Sequence, residues 1–457
     1  MKKTRTIILA AGQGTRMKSK KPKVLHDVCG KSMISHVIKA NQQADIDEIA
    51  VIVGYQADCV KAQIGESIST FTQKERLGTG HAVMQAVPFL ENFDGNVLVL
   101  VGDAPLIRSE TLKQLIKTHE DGHFAGTVLT AVFKDPTGYG RILKQDGEFL
   151  KIVEDQDASE AEKRIDEINS GMYCFDAKSL KMALKELKTD NEQGEYYLTD
   201  TIDILKQQGK KIGTFQTLDV DDIAAVNSKT QLAQIAQIMR RRINQRLMDE
   251  GVVMIDPEQT YLSVDTQIGV DTVVYPGVIT EGHVEIGKNC VIGHQSHIVD
   301  SKIADDVDIQ SSTILESTID SDTHIGPYAY LRPNSQIGKS VKIGDFVEVK
   351  NSIIKDGTKA SHLTYIGDSE VGKNVNLGCG TVFVNYDGRH KFKTIVEDDC
   401  FIGCNSNLVS PVTVKKGSYV AAGSTITEDV PEESLGIARA RQVNKTGYVK
   451  QMKQFKK

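Results

Sequence analysis

A short apolar run from Thr6 to Leu9 ends in Ala10-Ala11-Gly12-Gln13-Gly14-Thr15-Arg16, and Pro22-Lys23 follows shortly. Glycines at a strand end let backbone N–H groups approach a phosphate closely, because no Cβ stands in the way. Arg16 and Lys23 set fixed positive charge beside that turn. The stretch is neither the dinucleotide G-x-G-x-x-G nor a P-loop, whose lysine carries a Ser/Thr neighbour. Asp103 closes the run Val99-Leu100-Val101-Gly102-Asp103, at the strand end where open α/β sheets bind ligands. Its carboxylate is a hard oxygen donor of the kind Mg²⁺ takes. A second group of reactive side chains lies far downstream. His362 offers an imidazole able to take a proton near neutral pH. Arg332 and Lys350 offer charge to a phosphate. Tyr365, Asn376 and Asn385 offer hydrogen bonds to hydroxyls or an amine.

Two different scaffolds must position these groups. From residue 4 to about 227, short apolar strands (6–10, 49–53, 97–102, 127–133) alternate with amphipathic helical patterns such as 33–44 and 79–90. That alternation predicts a mostly parallel α/β sheet of Rossmann-like kind. Over 228–250, Leu232, Ile235, Met239, Ile243 and Leu247 recur at helical spacing, which predicts one long linking helix. Arg240-Arg241-Arg242 lie on another face and read as a solvated one. After 250 the helical signal vanishes and a beat of six residues takes over. Ile286, Ile292 and Ile298 keep it, as do Ile319, Ile325, Leu331, Ile337, Ile343 and Val349. Val371, Leu377 and Phe383 resume it, and Val396, Ile402, Leu408, Val414, Val420 and Ile426 carry it onward. A period of six predicts a parallel β-helix with one apolar side chain per flat face pointing inward. The domains expected are therefore 1–227, a helical linker 228–250, and a β-helix over 251–457.

The beat is expected to break once. Phe383 and Val396 are 13 residues apart, two hexads plus one, and the polar segment from Asn385 to Thr394 lies between them. An insertion in a regular solenoid reads as a surface loop that carries function. Composition narrows the classes. A net charge of −6 gives no reason to expect a nucleic-acid partner. No apolar run reaches the ~18 residues of a membrane span, and the first residues lead into a strand rather than a signal core. Seven cysteines without metal spacing fit free thiols in a reducing, cytoplasmic setting.

The first turn, with its Leu-x-x-Gly-x-Gly-Thr-Arg-Met pattern and downstream Pro-Lys, resembles the signature of sugar nucleotidyltransferases. The six-residue beat is similar to that of the hexapeptide-repeat acyltransferases, whose coils wind left-handed. Together with Leu77-Gly78-Thr79-Gly80-His81-Ala82, Pro136-Thr137-Gly138-Tyr139-Gly140-Arg141, Glu167-Ile168-Asn169, Gln193-Gly194-Glu195-Tyr196-Tyr197, His362-Leu363-Thr364-Tyr365 and Asn385-Tyr386-Asp387-Gly388, the whole chain resembles one family. It is that of the bacterial bifunctional N-acetylglucosamine-1-phosphate uridyltransferase / glucosamine-1-phosphate N-acetyltransferases. The resemblance implies that Asp103 and Asn227 hold Mg²⁺, that Arg16 and Lys23 are catalytic, and that Leu9, Ala10, Ala11, Gly12 and Gly102 surround the nucleotide. It implies uracil recognition at Gln73, Gly78 and Thr79, and sugar and ribose contacts at Gly140, Glu154 and Asn169. His81 is expected to be structural. His362 is implied as the acetyl-transfer base, with Arg332, Lys350, Tyr365 and Asn376 on the sugar phosphate. Cys379, Asn385, Tyr386, Cys404, Ala422 and Arg439 are implied for acetyl-CoA, and the basic segment 439–457 for its phosphates. A homotrimer through the β-helix is implied as well. The family commonly has alanine or serine at the positions of Cys379 and Cys404, and some relatives an aromatic at that of Val101. Alternative readings are a one-site sugar nucleotidyltransferase with an oligomerising β-helix, and a scaffold with an inactive nucleotide domain. His362 and the 385–394 loop weigh against the first, and Arg16, Lys23, Asp103 and Asn227 against the second.

Overall fold

The computed structural model describes residues 2–191 and 193–452. The chain divides into two units, Met1–Arg240 and Arg241–Lys457. The first carries strands β1 (Thr4–Ala10), β2 (Asp27–Val28), β3 (Lys31–Ser32), β4 (Glu48–Val53), β5 (Ser69–Thr72), β6 (Asn96–Val101), β7 (Gly126–Val132), β8 (Arg141–Gln145), β9 (Glu148–Val153), β10 (Glu167–Asp176) and β11 (Ile212–Gln216). The main sheet runs in the order β11-β7-β10-β6-β1-β4-β5. It is parallel except for β10, which runs against both β6 and β7. The β8–β9 hairpin hangs from β10.

Central strands such as Asn-Val-Leu-Val-Leu-Val (β6) are nearly continuous apolar runs because both faces of the sheet are covered. Ile7, Val97 and Val99 pack toward Leu180, Leu184 and Ile202, from the helices Ala177–Glu186 and Asp200–Gln207. Ile8, Leu98 and Leu100 pack toward Ile34, Val37, Leu112 and Ile116. Each fully buried side chain of this kind stabilises by about 1.5–3 kcal/mol. The apolar pattern over 79–90 forms a helix only at Thr79–Met84, followed by a tighter turn at Val87–Leu90. Pro88 lacks the N–H that a continuing helix needs. The linking pattern is one helix, Lys229–Asp249, with Ile235, Met239, Ile243 and Leu247 buried. The boundary between the two units falls inside it, and exposed Arg241 donates to Glu258 at 2.9 Å.

The second unit is a hexapeptide-repeat β-helix of the left-handed class, whose three flat faces are parallel, in-register sheets. Among the described residues one has eleven strands from Val253–Met254 to Leu435–Gly436, and two have nine, from Gln267–Ile268 to Val412–Val414 and from Ile279–Glu281 to Thr425–Ile426. Every beat residue is buried. The expectation of a single break is corrected. Ile298 to Ile303, Ile309 to Ile314, Ile314 to Ile319, Val349 to Ile354 and Ile366 to Val371 are steps of five that continue the inward row. The chain turns these tight corners with single residues in the left-handed region, at Asp300 (φ 42°), Ser311 (φ 41°), Glu316 (φ 42°), Asn351 (φ 46°) and Asp368 (φ 49°). Asp, Asn and Ser tolerate that region because a short polar side chain finds local hydrogen bonds. The reading of 383–396 as two hexads plus one is also corrected. Phe383 stacks above Ile366 and Val396 above Val371, so the 13-residue step replaces a step of five and the insertion hangs from one corner.

Candidate functional site

Two sites emerge, one in each unit. In the first, Leu9 and Val101 at the ends of β1 and β6 open onto a cleft of about 450 Å³, lined also by Thr79, Gly140, Glu154, Asn169, Tyr173 and Thr199. Gly14 sits at φ 66°, and a Cβ there would meet Lys23 Cβ at 2.6 Å, so the glycine lets the lysine fold back over the turn. Around Gly12 a Cβ would meet nothing within 4 Å, which leaves open space beside the turn. Ala11 accepts from Tyr55 N–H at 3.2 Å, and Gly102 N–H donates to Leu9 O at 2.9 Å, so Ala10, Ala11 and Gly102 belong to the wall that orders the turn.

Four charged and polar groups named from sequence meet at this edge. Lys23 Nζ forms an ion pair with Asp103 Oδ2 and donates to Asn227 Oδ1 at 3.0 Å. Arg16 Nη2 donates to the same Asn227 oxygen at 3.0 Å. Asn227 is held in turn by its N–H on Gln231 Oε1 (2.7 Å), while Val226 N–H donates to the Asp103 carbonyl at 2.9 Å. Two hard oxygens from distant segments thus converge on one ammonium, an arrangement that suits a cation of the Mg²⁺ class.

Gln73 and Gly78 are brought together, since Gln73 Nε2 donates to Gly78 O at 3.0 Å. Gly78 (φ 104°) passes so close to Tyr196 that a Cβ would sit 2.5 Å from its carbonyl oxygen. Tyr196 N–H donates to Leu77 O and Gly80 N–H to Tyr196 O, both at 2.8 Å. Thr79 Oγ1 accepts from Leu198 N–H at 3.0 Å. The Leu77–Gly80 run is therefore docked onto 196–198 by backbone, and of it Thr79 faces the cleft. His81 has both ring nitrogens against side-chain amides, of Gln73 and Gln85, each at 3.2 Å. At the far end of the cleft, Asn169 Nδ2 donates to Tyr173 OH at 3.0 Å, and Asn169 N–H to Gly140 O at 2.8 Å. Burial raises the Glu154 carboxyl above its ordinary range, against a hydrogen bond from Thr199. Sequence reasoning missed Thr199, as well as Asp155, which anchors buried Arg141 at 2.9 Å.

The second site is made of coil-to-coil neighbours. Ile343, Ala360, Leu377, Ile402 and Val420 stack in one ladder. Two residues past each come Asp345, His362, Cys379, Cys404 and Ala422, which therefore share one corner column. The glycines Gly378 and Gly403 permit the close stacking, since a Cβ on Gly378 would lie 2.6 Å from Cys404 N. His362 Nδ1 lies 2.6 Å from Asp345 Oδ1, and that hydrogen bond lowers the Asp345 carboxyl below its usual range. Around the corner, Lys350 Nζ donates to Asp368 at 2.8 and 2.9 Å. Burial is the largest single influence and would lower Lys350, but the hydrogen bond and charge of Asp368 together with the Lys391 contact outweigh it, and the ammonium is held above its ordinary range. Asn385 Nδ2 donates to Asp368 Oδ2 at 2.5 Å and lies 3.4 Å from Tyr365 OH. Arg332 Nη1 donates to Glu348 at 2.9 Å. The Lys391 ammonium, from the inserted loop, is lowered chiefly by its contact with Lys350, so a third cation joins the group.

Asn376 stands apart from this cluster, on the face that carries His362. Tyr386 is exposed in the loop, its hydroxyl on Gly388 O at 2.7 Å. Arg439 Cδ would lie 3.7 Å from a Cβ on Gly423, next to Ala422 in the column. Of the basic segment 439–457, residues 453–457 lie outside the described residues. Sequence reasoning missed Asp345, Asp368 and Lys391. The signal for the first two was the coil length, since Asp345 and His362 are 17 apart and Lys350 and Asp368 are 18 apart.

Fold and geometry define a nucleotidyltransferase unit followed by a hexapeptide-repeat transferase unit. The family model described as "Nucleotidyl transferase" matches residues 5–236, "GMPPB C-terminal domain" matches 316–387, and "Hexapeptide repeat of succinyl-transferase" matches 393–428. Over its full length the chain is similar to proteins named "Bifunctional protein GlmU". That of Alkaliphilus metalliredigens is 53% identical over 448 residues, 98% of each chain. Those of Clostridioides difficile and Alkaliphilus oremlandii are 53% and 54% identical, covering 98% and 100% of both chains respectively. The chain belongs to the bifunctional GlmU family and carries both transferase halves.

Proposed function

We propose that the two sites divide the last two transfers of UDP-N-acetylglucosamine synthesis, acetylation at the β-helix corner and uridylylation at the α/β cleft, within the division 1–227, 228–250 and 251–457. At the corner, Lys350 and Arg332, with Lys391, take the phosphate of glucosamine-1-phosphate. Tyr365, Asn376 and Asn385 orient the sugar. His362 takes a proton from the amine as it attacks the acetyl thioester, and coenzyme A leaves as the thiol. Cys379, Tyr386, Cys404, Ala422 and Arg439 line the coenzyme's path. In the cleft, the phosphate of N-acetylglucosamine-1-phosphate attacks the α-phosphorus of UTP and pyrophosphate leaves. Arg16, Lys23 and the turn Leu9–Gly12 with Gly102 neutralise and align the triphosphate. Gln73, Gly78 and Thr79 read uracil, and Gly140, Glu154 and Asn169 hold the sugars. Asp103 and Asn227 would hold Mg²⁺, which supplies charge to the phosphate oxygens.

The observation that carries this reading is the convergence of Arg16, Lys23, Asp103 and Asn227 at one sheet edge, alongside the separate His362–Asp345 and Lys350–Asp368 pairs on the β-helix. The hexapeptide β-helix supports a homotrimer. Among the described residues no helix is long and apolar enough to cross a membrane, which fits a cytoplasmic enzyme acting on small molecules. Incubation of the pure protein with glucosamine-1-phosphate, acetyl-CoA, UTP and Mg²⁺ is expected to give UDP-N-acetylglucosamine, coenzyme A and pyrophosphate. Uridylylation of added N-acetylglucosamine-1-phosphate with no acetylation of glucosamine-1-phosphate would reduce the reading to a single site. ATP or GTP turning over as well as UTP would remove the uracil assignment.

A further inference from the structure

The column at the β-helix corner places a carboxylate directly before the proposed base. We infer that Asp345 is the positioning residue of acetyl transfer, fixing the His362 tautomer and steadying the imidazolium that forms during the reaction. This rests on His362 being the base. Asp345 and His362 are ladder partners on consecutive coils, 17 residues apart. The β-helix register therefore holds them side by side whatever the side chains do. Within that pair, His362 Nδ1 lies 2.6 Å from Asp345 Oδ1. An ionised carboxylate only accepts hydrogen bonds, so Nδ1 carries the proton and the lone pair is left on Nε2. Nε2 is then the atom that takes the amine proton. The positive charge that results is met at 2.6 Å by a carboxylate already in place, at no cost of reorganisation.

Other titratable groups flank the pair. Lys342 and Glu348 lie on the preceding coil, Lys359 and Tyr365 on the coil of His362, and Cys379 on the following one. Lys342 acts on Asp345 only through space and favours its ionised form. Glu348 is taken up by Arg332 at 2.9 Å. Among the described residues Asp345 is the carboxylate bonded to the His362 ring. Both members of the pair are partly open to solvent, with side chains 58% (His362) and 37% (Asp345) exposed, so incoming substrate can reach the free nitrogen.

Four variants of the full chain test this: Asp345→Asn, Asp345→Glu, Asp345→Ala and His362→Ala. Acetyl transfer is followed by coenzyme A thiol release across pH, and the thermal melt and circular dichroism of each preparation report folding of the β-helix unit. Asp345→Asn keeps the shape and removes the charge. It is expected to lower kcat by roughly 10-fold or more with both KM values within about 2-fold, and to move the acid limb of the profile to lower pH. Asp345→Ala should fall further, and Asp345→Glu should recover part of kcat and return the acid limb toward its original place. If Asp345→Asn keeps the original kcat and acid limb while His362→Ala is inactive in acetyl transfer, the positioning role is wrong and the base assignment stands. If His362→Ala itself retains acetyl transfer, the base assignment fails and the role of Asp345 with it. A variant that raises KM alone, with the pH profile unmoved, would make Asp345 a binding group and overturn the inference.

Discussion

In the α/β unit Arg16 and its partner Asn227 are 211 residues apart, whereas on the β-helix His362 and Asp345 are separated by 17. The first site forms because several strand-end loops empty over the same edge of a sheet, and each side chain is aimed by its own local device. Gly14 lets Lys23 fold back, and the Val226 N–H bond to Asp103 brings Asn227 alongside. The second site relies chiefly on register, with Gly378 and Gly403 permitting the close stacking of coils. Stacking of coils delivers residue pairs one turn apart, as with Lys350 and Asp368 or Asp368 and Asn385. A site built from loops tolerates change in the sheet beneath it but depends on every loop. A site built from register depends on coil length, and its neighbours follow from counting.

The widest separation between the two regions is expected from Asp103→Ala. The substitution removes the partner of Lys23 and one of the two converging oxygens, and uridyl transfer should fall by about 10³-fold or more. Acetyl transfer, housed in the other unit, should stay within about 2-fold. Equal loss of both activities in a folded variant would mean that the regions do not work separately.

Lys350→Ala acts on the other side of the comparison. It leaves the Asp368 carboxylate facing the incoming phosphate, and a charge-assisted hydrogen bond of this kind contributes about 1.5–3 kcal/mol. KM for glucosamine-1-phosphate should rise roughly 10–100-fold, with KM for acetyl-CoA unchanged. A rise in the acetyl-CoA KM instead would move Lys350 to the coenzyme.

A smaller effect concerns stability of the α/β unit. Burial, and then the neighbouring Asp200, push the Asp203 carboxyl up to about 6. An unfolded aspartate titrates near 3.9, so between about pH 4 and pH 6 the folded state holds the extra proton and stability falls as pH rises. Asp203→Asn should therefore stabilise the unit at pH 7 by ~1 kcal/mol, a value reduced for partial solvent screening, or a few degrees in Tm. At pH 4 the gain should vanish. A constant gain at both values would show that shape, not charge, is responsible.

The sequence carried the architecture well because its periods are physical. Strand limits fell within one residue of β6 and β7, and the six-residue beat marked the inward row of the β-helix. What it hid were positions where ordinary residues do unusual things. Ile303, Ile314 and Ile354 belong to the inward row but follow tight corners, and Ile309 lies between two such corners, so a count fixed on six passes over all four. Asp345 and Asp368 look like common polar corner residues, and only the coil length places them against His362 and Lys350. In the first unit Arg16, Lys23 and Asp103 were readable from their neighbours in the chain. Asn227 has no local signal, since its partners lie 204 and 211 residues away, and it was reached by resemblance alone.

The most direct test of two independent sites is complementation in one tube. Asp103→Ala and His362→Ala are each supplied with glucosamine-1-phosphate, acetyl-CoA, UTP and Mg²⁺, first alone and then mixed. Neither variant alone should form UDP-N-acetylglucosamine at an appreciable rate, and the Asp103→Ala reaction should accumulate N-acetylglucosamine-1-phosphate. The mixture should restore UDP-N-acetylglucosamine formation, because the intermediate leaves one protein and enters the cleft of the other. A mixture of folded variants that stays inactive, with no N-acetylglucosamine-1-phosphate accumulating in the Asp103→Ala reaction, would contradict the account.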